Sequence, residues 1–411
     1  MFPHRLAFDP ANPAWDAIPA AAGVFSLFAE DPHVEPYISR TPNLRRRIRR
    51  LLDARPDQTK RLQLAGRVAH IEYALTGSEF EAWLRLYDAS RAAFGDRVRK
   101  RLHLRAPFLL RMTVENAYPR VYVTNHVTKS GMDDLYGPFP SRAAAEHFLE
   151  DMLDLFKLRR CVDNLAPDPA FPGCVYSEMK KCLAPCFQGC SDERYADEAA
   201  AIRAFLRTGG ASLVEALSHE REAASELLEF EKAADLHVRL TKAESVAAAA
   251  PEVLRPLAHL DGIIVQPCAE AECVALFGLV RGCLTGPAIF SVAGMRHPNE
   301  AAGSTSLYAQ PVAAPEAVPL DAPTVTTVSR DELEHRLDQS LALLHPAPRK
   351  RSAASPIADH LCLFTRWYYR PQVKRVGEIL FAGEAGVVSP KPLLRAISRV
   401  WQKSRPVVSH P

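Results

Sequence analysis

Apolar positions along the chain fall into short clusters whose period changes several times. Residues 23–28 and 35–39 alternate as short strands joined by a polar turn. Leu44, Ile48, Leu51 and Leu52 then follow at helical spacing, which predicts a helix with Thr41 as N-cap and Pro42 in its first turn. Residues 68–75 suit a third strand. The run Ser78-Glu79-Phe80-Glu81 has the form of a capping box and opens a helix striped by Phe80, Trp83, Leu84 and Tyr87. A strand is predicted over 119–124 and a helix over 141–156, with another over 192–207 that stops at Gly209-Gly210. Residues 211–247 read as a helical hairpin. Its first apolar stripe is Leu213, Leu217, Ala224, Leu227 and Leu228, and its second is Phe230, Ala233, Ala234, Leu236 and Leu240. The period returns to that of strands at 263–265, 273–277 and 289–292. A helix over 331–344 lies between two Ala- and Pro-rich linkers, 298–328 and 345–355. The last fifty residues carry no readable motif.

This order of elements is that of an α/β (α+β) protein made of several small units. The 411 residues are enough for more than one core. The pattern divides them into a small three-stranded unit at 15–105, a connecting α/β segment at 106–160, and a cysteine segment with its following helix at 161–210. The hairpin occupies 211–247, a β-rich segment 255–295, and a linker and C-terminal region of unread role 296–411. A hydrophobic share of 47% and a charged share of 24% are those of an ordinary globular chain. The net charge of +3 says little, but its distribution says more. Residues 40–50 hold six arginines and no acid, and 91–105 are similarly basic, as suits a protein that meets DNA with one end. No apolar run is long enough to span a membrane and the first residues do not form a signal peptide, so a cytoplasmic location is expected. Structural disulfides are not expected there, and a cluster among the nine cysteines calls for metal or redox chemistry.

Two groups of residues carry candidate chemistry. On a helical wheel Arg47 sits at the edge of the Leu44/Ile48/Leu51 stripe, whereas Arg46, Arg49 and Arg50 point away. An arginine turned toward a folded unit has an anion to meet, or else snorkels along its surface. Cys161, Cys174, Cys182 and Cys186 are separated by twelve, seven and three residues, and Cys190 follows after three more. Thiolates converging from a loop can hold an iron–sulfur cluster or a structural zinc, and this spacing is not that of paired zinc knuckles.

Gly23-Val24-Phe25, Tyr37-Ile38-Ser39 and Asn43-Leu44-Arg45-Arg46-Arg47 together resemble the GIY-YIG nuclease signature. Lys181-Cys182-Leu183-Ala184-Pro185-Cys186 and the stretch 220–234 resemble, in the same order, the cysteine run and the UVR hairpin of the UvrC family. The resemblance extends from about Gly23 to Val292 and is closest to the short Cho-type members. It implies that Tyr37, Arg47 and Arg40 occupy catalytic positions and that Arg45, Arg46, Arg47 and Arg49 contact damaged double-stranded DNA. It also implies a [4Fe–4S] cluster on Cys161, Cys174, Cys182 and Cys186, with structural zinc as the alternative and Cys190 either a substitute ligand or a bystander. Phe230, rimmed by Glu229 and Glu231, is implied to anchor a UvrB-like helicase. The nuclease signature is incomplete: Phe25, Ser39 and Arg40 replace a tyrosine, a glycine and a lysine. Leu86 stands where the metal-binding glutamate is expected, and Val98 where an asparagine is. No Mg²⁺-binding carboxylate is identified, although Asp88 and Glu81 are the nearest candidates. The expectation is a UvrC-like repair factor that docks on UvrB and contacts DNA with weak or absent incision. Two alternatives stand beside it. One is an active endonuclease making the 3′ incision with Mg²⁺ or Mn²⁺; the other is an iron–sulfur DNA-binding or redox-sensing module independent of UvrB.

Overall fold

The computed structural model describes residues 2–53, 65–162, 165–295, 328–344, 354–383 and 386–404. Except for their last residues, both expected linkers lie outside the described residues. The chain is a mixed α/β structure with three four-stranded antiparallel sheets.

The first sheet contains β1 (His4–Ala7), β2 (Gly23–Ala29), β3 (Tyr37–Thr41) and β4 (Val68–Leu75) in the order β1-β4-β2-β3. The expected three strands are present. The fourth, β1, was missed because its short, mostly exposed sequence carries little apolar alternation. Helix α1 (Leu44–Leu52) packs Leu44, Ile48 and Leu52 onto Phe25, Leu27, Ile71 and Tyr73. Its N-cap is Asn43 rather than Thr41: the Asn43 side chain accepts from the Arg46 amide at 2.9 Å. Thr41 is still extended in β3, and its hydroxyl instead accepts the Asn43 amide at 3.2 Å. Gly23 is required where it stands. A Cβ there would lie 2.4 Å from the Ala74 carbonyl and 2.8 Å from the Leu44 side chain.

Helix α2 (Glu79–Phe94) covers the other face of this sheet, with Ala82 and Leu86 against Val24. Its predicted stripe faces elsewhere: Phe80, Leu84 and Tyr87 pack into the C-terminal unit, so α2 is buried from two sides. A short α3 (Val98–Arg101) follows it.

The second sheet contains β5 (Phe108–Met112), β6 (Val121–Thr124), β7 (Leu135–Phe139) and β8 (Arg255–Pro256) in the order β6-β5-β7-β8. Helices α4 (Arg142–Leu153) and α6 (Asp192–Thr208) close its core around Phe139, Phe148, Tyr195, Ile202 and Phe205. The one-turn α5 (Val175–Glu178) lies in the cysteine segment between them. Helices α7 (Ala211–Glu226) and α8 (Phe230–Ala249) form the predicted hairpin.

The third sheet contains β9 (Gly262–Pro267), β10 (Cys273–Val280), β11 (Cys283–Ser291) and β12 (Glu378–Phe381) in the order β11-β10-β9-β12. Strand β12 comes from the region without a readable motif. Helices α9 (Arg330–Ala342) and α11 (Pro390–Ser404) pack on one face, and α10 (Ala354–Tyr368) packs on the other, against α2. Between α2, α3 and α10, the buried Asp359 carboxylate takes Arg99 Nε at 2.7 Å, Arg91 Nη1 at 3.7 Å and the Tyr87 hydroxyl at 3.2 Å. The N-terminal and C-terminal units are therefore joined by both apolar packing and a shared buried charge. No helix among the described residues is long and apolar enough to cross a membrane.

Candidate nucleic-acid interface

The end of β3 and the exposed side of α1 enclose an open cavity of about 520 Å³ lined by Arg40, Thr41, Pro42, Arg46, Arg47 and Arg50. Four of its lining residues are arginines, and none is acidic. Arg46 and Arg47 are four and three residues from Arg50, which brings all three to one side of the helix. The wheel reading had separated Arg47 from Arg46 and Arg50. Arg50 was missed as a site residue, although the i, i+3 and i, i+4 spacing was visible in the sequence. Arg47 Nη2 donates to the Tyr37 hydroxyl at 3.4 Å, so two of the three predicted catalytic residues meet. The Tyr37 ring leans on Phe25 at 6.1 Å between centroids.

Arg40 is held by two partners on α2. Its guanidinium stands 4.3 Å over the Trp83 ring and 3.2 Å from the Glu79 carboxylate. Glu79 also takes Arg370, just beyond α10, at 2.7 Å, and these arginines hold its carboxyl below the usual carboxylate range. Arg366 of α10 approaches the same Trp83 ring at 5.3 Å. Arg45 points away from the cavity. It donates to the Ile18 carbonyl at 2.7 Å and the Asp16 carbonyl at 3.2 Å, which ties α1 to the segment before β2. Arg49 is exposed and is not among the residues lining the cavity.

At the position of the expected metal-binding glutamate, Leu86 is 6% exposed and packs with Val24, Ala82, Ile38 and Leu102. Strand alternation sets Val24 and Ile38 on the opposite face of the sheet from Phe25 and Tyr37. Glu81 is occupied: it takes the Gly77 amide at 2.9 Å and Arg85 Nε at 2.8 Å, so Ser78 caps α2 as expected but the return bond of the predicted capping box goes to Gly77 rather than to Ser78. Asp88 is exposed on the far side of α2. Among the described residues, no group of three or more His, Cys, Asp or Glu is arranged to hold a metal ion.

The cysteine segment lies on the core of the second sheet, anchored where the Leu183 amide reaches the Lys157 carbonyl at 3.0 Å and where Lys181 and Arg160 share Asp154. All five thiols are free and partly buried. Burial, followed by the proximity of Cys161, Cys174 and Cys186, pushes the Cys182 thiol up to about 11. Cys190 instead faces Asp192 and Arg194. The buried Arg159 donates from Nη1 to Cys161 Sγ at 3.7 Å and from Nε to the Tyr118 carbonyl at 2.9 Å. Cys161, Cys174, Cys182 and Cys186 have the donor chemistry of a thiolate-bound group, although they are not arranged around a common metal position in this structure.

At the hairpin tip, α7 stops at Glu226 and Leu228 takes a left-handed backbone, with φ 58°. The turn leaves Leu227, Leu228 and Phe230 exposed at 70%, 69% and 67%. Ala234 is exposed too, and the helices bury Leu217, Ala224, Leu236, Leu240 and Ala243. The predicted stripes ran through the turn because a period cannot register where the helix breaks. Glu229 pairs with Lys232 at 2.9 Å beside the exposed apolar group.

Residues 108–205, from β5 through most of α6 and including the whole cysteine segment, match the model of the UvrC/Cho excinuclease middle domain. The chain is similar to the UvrABC system protein C of Symbiobacterium thermophilum, at 28% identity over 63% of this chain and 41% of that protein. It is similarly related to the proteins of that name from Idiomarina loihiensis (28% identity, 52% of this chain, 34% of the relative) and Rickettsia canadensis (29%, 54% and 34%). No solved structure matches. The chain spans well under half the length of these relatives. These matches relate the chain to the UvrC family, with residues 108–205 matching the middle domain of that family.

Proposed function

We propose that this protein is a UvrC-like factor of nucleotide excision repair that contacts damaged DNA and docks on a UvrB-like helicase, with weak or absent strand incision. The observation that carries the reading is the arginine cavity beside Tyr37, together with a buried leucine at the position of the metal ligand. Arg40 is already paired with Glu79, but Arg46, Arg47 and Arg50 line the cavity with no acidic lining residue beside them, and such a cation cluster suits a phosphate backbone. Cleavage needs more. An attacking water must be activated, and charge on the phosphate and the leaving oxygen must be neutralised. Arg47 would neutralise phosphate charge while its contact orients Tyr37. Leu86 supplies no oxygen for a divalent ion, and Glu81 is already engaged.

Leu227, Leu228 and Phe230 suit an apolar anchor for the helicase, with Glu229 and Glu231 as its polar rim. Cys161, Cys174, Cys182 and Cys186 would hold a [4Fe–4S] cluster or a structural zinc. Bound there, the group supplies a structural cross-link, and iron–sulfur would add one-electron redox chemistry.

The Tyr37–Arg47 contact favours a second reading, an endonuclease that makes the 3′ incision with an atypical metal site. A nicking and binding assay on a lesion-bearing duplex, with and without a UvrB-like helicase and Mg²⁺ or Mn²⁺, separates the two. Binding of DNA and helicase without cleavage is expected. Metal-dependent cleavage lost in Arg47→Ala would establish the second reading instead.

A further inference from the structure

Cys268 and Cys273 flank the loop between β9 and β10. The ladder pairs Val274 with Pro267, and carrying the register one residue further sets Cys268 opposite Cys273, on the same face of the sheet. Alternation agrees with this. Cys268 packs on the core that contains Ile264, Ala275 and Phe277, and Cys273 lies two positions before Ala275 on the same strand. Cys273 is also among the groups that raise the Cys268 thiol, after burial and the nearby Glu81 and Glu270. Opposite residues of an antiparallel pair lie roughly 4.5–5.5 Å apart between Cα atoms, which is within the span of a disulfide. Both thiols are free and partly exposed.

We propose that Cys268 and Cys273 form an oxidation site, a cross-strand dithiol that a low-molecular-weight disulfide such as oxidised glutathione converts to an intra-hairpin disulfide. One cysteine loses its proton to solvent and attacks a sulfur of the small disulfide, expelling one thiolate. The second cysteine then attacks the protein sulfur of the mixed disulfide and expels the other. Two protein S–H bonds are lost, one S–S bond is formed, and the small disulfide leaves as two thiols. Burial pushes both protein thiols above their ordinary value, so closure accelerates as the pH rises into the alkaline range.

The location gives the bond something to act on. A Cβ on Gly77 would lie 2.3 Å from both the Pro267 carbonyl oxygen and the Cys268 carbonyl carbon. The turn between β4 and α2 therefore rests backbone against backbone on this end of the hairpin, where the N-terminal unit meets the C-terminal sheet. The proposal is independent of the function suggested above.

The test uses the whole reduced protein, exposed to oxidised glutathione across a neutral-to-alkaline series. Remaining thiols are blocked with N-ethylmaleimide in denaturant before digestion and mass spectrometry. The expected result is a peptide carrying both residues that is two hydrogens lighter and unalkylated, with its yield rising with pH. In Cys268→Ser, Cys273 is expected to appear only alkylated or as a glutathione adduct. Three results would overturn the proposal: both residues alkylated in the wild type, a glutathione adduct that never closes, or Cys268 joined to some other cysteine.

Discussion

Arg47 Nη2 lies 3.4 Å from the hydroxyl of Tyr37, joining a helix residue to a strand residue at the mouth of the arginine cavity. The contact costs the guanidinium little of its donor capacity, since a phenol takes one of five N–H groups. Arg47→Ala should weaken DNA binding and lower the log–log salt slope by about one unit, as expected for one lost phosphate contact. Binding titrations across a salt series measure this. An unchanged slope would reduce Arg47 to a partner of Tyr37 alone.

Leu86→Glu should fail to restore cleavage and should destabilise the fold, because the carboxylate would enter the Val24/Ala82/Leu102 cluster. A cost on the order of 3 kcal/mol is expected. Such a carboxyl has its folded pKa raised, so the penalty grows as pH climbs above the unfolded value, roughly 4.3. Denaturant unfolding at acid and neutral pH checks the sign, and a variant that cleaves DNA would refute the argument.

Phe230→Ala should abolish association with a UvrB-like helicase yet leave the melting temperature within error. The side chain is 67% exposed and has little packing to lose. Co-sedimentation and calorimetry give the two readouts.

Glu79 bridges Arg40 and Arg370, and its carboxyl is held low by them. A depressed carboxyl adds stability above its unfolded pKa and loses it as pH falls through the lower folded value. Glu79→Gln should therefore melt below the wild type at neutral pH, and the gap should close in acid. The site is partly exposed, so the gap will be small. A difference that persists in strong acid would point to packing rather than charge.

Protein purified without oxygen should be brown, and Cys182→Ser with Cys186→Ser should remove the colour. Colourless protein with stoichiometric zinc would reverse the choice of group, whereas protein without either would leave the cysteines as reduced thiols.

Much of the local structure was legible. Strands β2, β3 and β4 lie where their alternation put them, and helices α2, α4 and α6 begin after Ser78, Ser141 and Ser191, each of whose hydroxyls accepts from a first-turn amide. Tyr37 and Arg47 were anticipated as site residues, though not their contact. The inclusion of Arg50 in the cavity and the diversion of Arg45 to Ile18 were not, since a charged helix face reports no partner by itself.

The sequence by itself determined the N-cap of α2, the periods of β2, β3 and β4, the cysteine spacing and the hairpin, all of which depend on residues close together in the chain. It also determined that residue 86 has no oxygen to offer. Only the tertiary structure decided where each apolar face goes. The Phe80/Leu84/Tyr87 stripe belongs to the C-terminal unit, β12 joins β9 across more than a hundred residues of chain, and Asp359 finds Arg91 and Arg99. A hydrophobic period states that a face will be buried. Which distant face buries it is settled by the packing of the whole chain.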